Sequence, residues 1–87
     1  MDFKKNNNLF NVTTNSHIET QELGMQFSQI INNGDVITLN GNLGAGKTTF
    51  MQGVLLGLGY KNKVTSPTYT LINEYFTKYN IIHLDCY

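Results

Sequence analysis

At 87 residues the chain holds one small domain, near the lower limit at which a core closes unaided. An apolar fraction of 40% and a charged fraction of 14% describe a folding chain rather than a disordered one. A formal net charge of zero gives no general attraction for nucleic acid. All six basic residues are lysine, and the single cysteine, Cys86, excludes an internal disulfide framework. Residues 1–8 are polar and precede no long apolar run, so they read as neither secretory leader nor membrane anchor; the cytoplasm is the expected compartment.

Taken in order, residues 1–8 are rich in lysine and asparagine and are expected to be a flexible terminus, with the folded domain spanning 9–87. Leu9–Thr13 is expected to pair as an edge strand. Ser16 has the character of a helix N-cap, and Glu19 three residues later completes a capping box. Leu23, Phe27, Ile30 and Ile31 follow at helical spacing, which predicts one buried face, and Asn33-Gly34 signals the turn that ends the helix. Val36–Asn40 reads as a buried strand. A second helix is predicted from about Lys47 to Leu58, with Phe50, Met51, Val54, Leu55 and Leu58 on one face. Gly53 and Gly57 weaken that helix by roughly 1 kcal/mol each relative to Ala unless that side packs closely on the sheet. Gly59 is placed to act as a left-handed cap. Residues 61–67 read as loop, followed by strands over Thr68–Phe76 and Asn80–Leu84 with a turn between them. This order predicts an α/β fold with at least one antiparallel pair.

The chemistry concentrates in Gly41-Asn42-Leu43-Gly44-Ala45-Gly46-Lys47-Thr48, which fits G-x-x-x-x-G-K-[ST] at every fixed position. A loop that turns successive backbone N–H groups onto a triphosphate needs glycine where dihedrals are unusual or a side chain would strike the phosphate. The helix that follows directs its unpaired N–H groups and positive dipole end at the same anion. Lys47 is expected to reach the β- and γ-phosphates, the Thr48 hydroxyl to ligate Mg²⁺, and Thr49 to meet the α-phosphate from the first helical turn. Chance would produce the pattern in on the order of 0.3% of chains this long. A strand before the loop and an amphipathic helix after it supply the context the motif requires. The expected ligand is a nucleoside triphosphate, ATP with Mg²⁺.

Two further groups lie downstream. In Ser66-Pro67-Thr68-Tyr69-Thr70 the proline stiffens the chain, and Thr68 is either a switch-like hydroxyl facing the γ-phosphate or part of a polar turn into a strand. His83-Leu84-Asp85-Cys86-Tyr87 is a strand ending in an acid. Asp85 either serves the Mg²⁺ shell and the attacking water or is a solvated turn aspartate, while His83 reads as a packed or half-exposed histidine rather than a base.

The run GAGKTTF, GLG, SPTYTL and HLDCY, preceded by Thr20, Leu23 and Gly24, resembles the TsaE (YjeE) family of P-loop ATPases of bacterial tRNA threonylcarbamoyladenosine biosynthesis. The resemblance covers nearly all of the chain after the first fifteen residues. It implies a P-loop NTPase-like sheet flanked by helices with an antiparallel strand pair. It also implies an ATPase acting with TsaB and TsaD, which reaches tRNA through those partners. On this footing Gly44–Thr49 cradle the phosphates, Thr48 and Asp85 serve the metal, Lys47, Asp85 and Thr68 serve catalysis, and the segment Ser16–Thr20 lies toward the adenine. Asn42 replaces the family's usual aspartate. The family continues beyond Tyr87 with an arginine, further strands and a Glu-Trp motif, so the chain is expected to be C-terminally truncated relative to it.

Two alternatives stand beside the ATPase. A small P-loop kinase would use the same loop but ordinarily clamps the moving phosphate with arginine, of which there is none. A nucleotide-binding module that does not hydrolyse its ligand fits the short chain, which lacks the family's second acid.

Overall fold

The computed structural model describes residues 2–40, 46–62 and 72–84. Two strands open the chain, β1 (Asp2–Lys5) and β2 (Asn8–Asn11), and the helix α1 (His17–Phe27) follows with a 3-10 turn at Ser28–Ile30. Then come β3 (Ile37–Asn40), the helix α2 (Lys47–Gly57), and the strands β4 (Ile72–Phe76) and β5 (Asn80–Leu84). β1 lies between β2 and β3, antiparallel to both, and β4 pairs with β5 as a separate antiparallel hairpin. The result is a small α/β fold with two helices and antiparallel strand pairs.

The flexible terminus expected over residues 1–8 is not what forms. Asp2–Lys5 is the central strand of the three-stranded sheet, and Phe3 is 2% exposed. Phe3 sits opposite Phe10 on β2 and Leu39 on β3, so these side chains share the inward face. Its ring stacks on Phe10 at 5.1 Å and meets Phe27 of α1 and Phe50 of α2, both at 4.8 Å. Both helices therefore cover one face of this sheet. Burial of such a ring offsets the entropy of ordering the polar residues around it. The hairpin turns at Asn6, whose φ of 57° is one asparagine tolerates.

Asn6 also ties the hairpin to the turn before β3. Its backbone N–H donates to the Val36 carbonyl, its side-chain oxygen accepts from Val36 N, and its amide donates to Asp35 Oδ1 at 3.1 Å. Asp35 accepts from Asn32 N at 2.8 Å and pairs with Lys5 Nζ at 3.5 Å. Donation by the Asn32 backbone, then by Asn6, together with the nearby Lys5 charge, holds the Asp35 carboxyl below its ordinary value.

β3 was expected to be buried, yet Val36 is 66% exposed and the strand alternates half-buried with exposed residues. Among the described residues it pairs only with β1, and only one face is covered. In α1, Phe27 and Ile31 are buried and Leu23 packs against the core as predicted, but Ile30 is 47% exposed. The tighter 3-10 turn after Phe27 rotates Ile30 off the apolar stripe. In α2, Phe50, Val54, Leu55 and Leu58 are buried. Gly59, at φ 89°, closes that helix with Tyr60 N donating to Leu55 O and Gly59 N to Leu56 O, the paired bonds of a Schellman end.

The α2 glycines pack on α1, not on the sheet. A Cβ at Gly53 would strike the Gln21 carbonyl oxygen, and one at Gly24 would strike that of Phe50 and lie 2.9 Å from Val54 N. A Cβ at Gly57 would meet the Ser28 hydroxyl and stand 3.0 Å from Met25 O. Small residues let the two backbones touch, which offsets the weak helix propensity of glycine. Gln21 facing Gly53 and Met25 facing Gly57 advance together, so α1 and α2 run parallel, with their N-termini at one end.

β4 and β5 match register at Tyr75 and Ile81, both on the inward side. Tyr75 is buried and meets Tyr60 edge-on at 5.2 Å, while Ile81 packs against the core. β5 keeps the predicted bounds, and β4 begins at Ile72; residues 68–71 of the strand predicted there lie outside those described.

Candidate functional site

The described part of the site is the start of α2. β3 ends at Asn40, and α2 opens with Gly46 as N-cap, at φ 88° and ψ 11°. That left-handed backbone admits glycine readily, which explains the residue at this fixed position. Phe50 N donates to the Gly46 carbonyl at 2.8 Å, the first bond of the helix. Lys47, Thr48 and Thr49 occupy the first turn and are half-buried.

The two helix starts differ in how their ends are satisfied. At α1 the Ser16 hydroxyl accepts from Glu19 N at 3.1 Å, while the Glu19 carboxylate accepts from Asn15 N and places a negative charge in the first turn. The predicted capping box thus closes on Asn15 rather than on Ser16. At α2 the N-cap is Gly46, which has no side chain to cap with; among the described residues no side chain caps the helix, the first turn holds no acid, and its first residue is a lysine. A cation at the positive end of a helix dipole is unfavourable by itself, and a nearby anion would offset it.

The parallel packing brings the start of α1 to the same place. His17 Nδ1 lies 3.3 Å from Thr49 Oγ1. Thr20, 6% exposed, donates to the Ser16 carbonyl at 3.0 Å and shares a 2.6 Å bond with the Thr14 hydroxyl, which fixes the chain entering α1. The structure therefore brings the Ser16–Thr20 segment beside Thr49. Within that segment the sequence singles out no role for His17, since only the relative direction of the two helices brings it to Thr49.

Of the predicted site residues, Gly46, Lys47, Thr48 and Thr49 are gathered at this helix start. Gly41, Asn42, Leu43, Gly44, Ala45, Thr68 and Asp85 lie outside the described residues. β5 ends at Leu84, directly before Asp85 in the chain. Among the described residues no group of three or more acidic, histidine or cysteine side chains is arranged to hold a metal ion. No helix among them is long and apolar enough to cross a membrane.

The family described as "Threonylcarbamoyl adenosine biosynthesis protein TsaE" matches residues 14–87, a span that contains every predicted site residue. The chain belongs to the TsaE family. TsaE relatives named as tRNA threonylcarbamoyladenosine biosynthesis proteins align with most of it. The protein from Aquifex aeolicus is 44% identical over 79 residues, covering 87% of this chain and 59% of its own length. That from Rickettsia prowazekii is 42% identical over 77 residues, covering 86% and 54%. The Bacillus subtilis protein is 49% identical over 57 residues, covering 66% and 36%. The chain thus spans roughly a third to three-fifths of the length of these TsaE proteins. No solved structure gives a significant match. The TsaE match begins at residue 14, after β2, so the hairpin that carries Phe3 lies outside it.

Proposed function

We propose that the chain binds ATP with Mg²⁺ at residues 41–49 and serves as the ATPase component of tRNA threonylcarbamoyladenosine synthesis. The observation that carries this reading is the contrast between the two helix starts. α1 is capped by its own serine and glutamate, whereas α2 presents Gly46, Lys47 and two hydroxyls, with no acid in its first turn and no side-chain cap among the described residues. The donor set fits a phosphate chain: N–H groups at the positive end of a dipole, one ammonium and two hydroxyls. Lys47 would neutralise phosphate charge, Thr48 and Asp85 would hold Mg²⁺, Thr49 would bind the phosphate nearest the ribose, and Thr68 would serve the reacting phosphate. Bound Mg²⁺ supplies charge neutralisation for phosphoryl transfer to water.

Membership of the TsaE family supports the assignment to tRNA modification. On this reading the P-loop sheet is completed around β3, and the partners are TsaB and TsaD in the cytoplasm. A formal net charge of zero and the absence of arginine favour tRNA being reached through those partners.

Equilibrium binding of Mg²⁺-ATP to the wild type and to Lys47→Ala tests the reading. Loss of the lysine should weaken binding about ten- to a hundredfold, the worth of one charge-assisted hydrogen bond. Unchanged affinity in a folded Lys47→Ala sample would overturn it. Phosphate release with and without the two partners then separates an ATPase from a passive binding module, and transfer to a small acceptor would indicate a kinase.

A further inference from the structure

We infer that His17 is a positioning residue for the nucleotide, acting through Thr49. The inference rests on the nucleotide reading above and extends it to a residue on a different helix. His17 Nδ1 and Thr49 Oγ1 are 3.3 Å apart. Each stands one helical turn ahead of the place where Gln21 meets Gly53 backbone to backbone, so that close helix contact fixes their approach. The α1 side is further set by the Ser16 cap and by the Thr14–Thr20–Ser16 bonds.

A threonine hydroxyl has one hydrogen to donate and lone pairs to accept with. If Thr49 donates to His17, it turns only lone pairs toward an arriving phosphate. If Nδ1 carries the hydrogen and donates to Thr49, the hydroxyl hydrogen is free for the anion. A bound phosphate therefore selects the donating arrangement, and a chain of donors runs from imidazole to hydroxyl to phosphate. His17 is exposed and Thr49 half-buried, so the imidazole can be replaced without opening the core.

The test measures Mg²⁺-ATP affinity in the full 87-residue chain for His17→Phe, His17→Asn, Thr49→Val and the double variant His17→Phe/Thr49→Val, each checked for folding by circular dichroism. His17→Phe should weaken binding about three- to tenfold. His17→Asn, whose amide N–H replaces the Nδ1 donor, should restore most of it. In the Thr49→Val background the His17 substitution should have no further effect. A contact that merely joins the helices would not be rescued by asparagine in this way. Wild-type affinity in His17→Phe, or an equal loss in both backgrounds, overturns the inference even where Lys47→Ala weakens binding as expected. If Lys47→Ala binds normally, the nucleotide reading fails and this inference falls with it.

Discussion

Gly24 and Gly53 face each other across the contact between α1 and α2, so close that a Cβ on Gly24 would lie 3.1 Å from the Gly53 carbonyl carbon. Alanine favours helix over glycine by about 1 kcal/mol in an open site. Here the added methyl meets backbone on the opposite helix, which cannot swing aside. Gly53→Ala should therefore destabilise the chain by about 1–3 kcal/mol, the usual range for overpacking. Urea unfolding measures it; a stabilised Gly53→Ala would show that the helices do not touch there.

Phe3 joins the rings of Phe10, Phe27 and Phe50 from the strand nearest the N-terminus. Truncation to alanine should cost about 3–5 kcal/mol. That approaches the whole stability of a small domain, so Phe3→Ala should be largely unfolded at 25 °C. A cooperative circular-dichroism melt close to wild type would contradict the central placement of β1.

Asp35 makes stability depend on acid. Its carboxyl is held below the ordinary value in the folded chain by Asn32, Asn6 and Lys5. A group with a depressed folded value stabilises above its unfolded value, near 3.8, and that stability is lost as pH falls through the folded value. Wild type should thus exceed Asp35→Asn in urea midpoint at neutral pH, with the gap closing below about pH 4. A gap that stays constant down to pH 2.5 would rule out the ionised carboxylate as its source.

On the proposed function, the first turn of α2 is where a ligand is felt. Mg²⁺-ATP at a hundred times its dissociation constant should stabilise the fold by about 2.7 kcal/mol. Amide exchange at Thr48 and Thr49 should slow, since their N–H groups then have an anion to bond. Stabilisation without protection of these two amides would move the site elsewhere.

Much of this was legible in the residues. Ser16 with Glu19 marked the start of α1, Gly59 marked the end of α2, and the short apolar run Asn80–Leu84 after a turn marked β5, because each is decided by neighbours in the chain. Gly46-Lys47 likewise marked the start of α2. The asparagines at 6–8 were read as disorder, although Asn6 is the residue that turns the hairpin, because polarity hides a strand whose burial rests on one phenylalanine. Gly53 and Gly57 were recognised as close-packing positions but assigned to the wrong neighbour. No local pattern says whether a helix meets a sheet or another helix. The contact of His17 with Thr49 is illegible for the same reason: it is set by the direction in which α1 and α2 align.

The central position of β1 also dictates an order of events during synthesis. The hairpin of β1 and β2 and the helix α1 are local and can form as soon as they leave the ribosome. Their partners β3 and α2 lie later in the chain. A nascent chain that has emerged only as far as Gly34 holds Phe3 and Phe27 but neither Leu39 nor Phe50 to cover them. Until α2 follows, the earliest residues carry the most exposed aromatic surface, and there the growing polypeptide is most open to a chaperone or to aggregation.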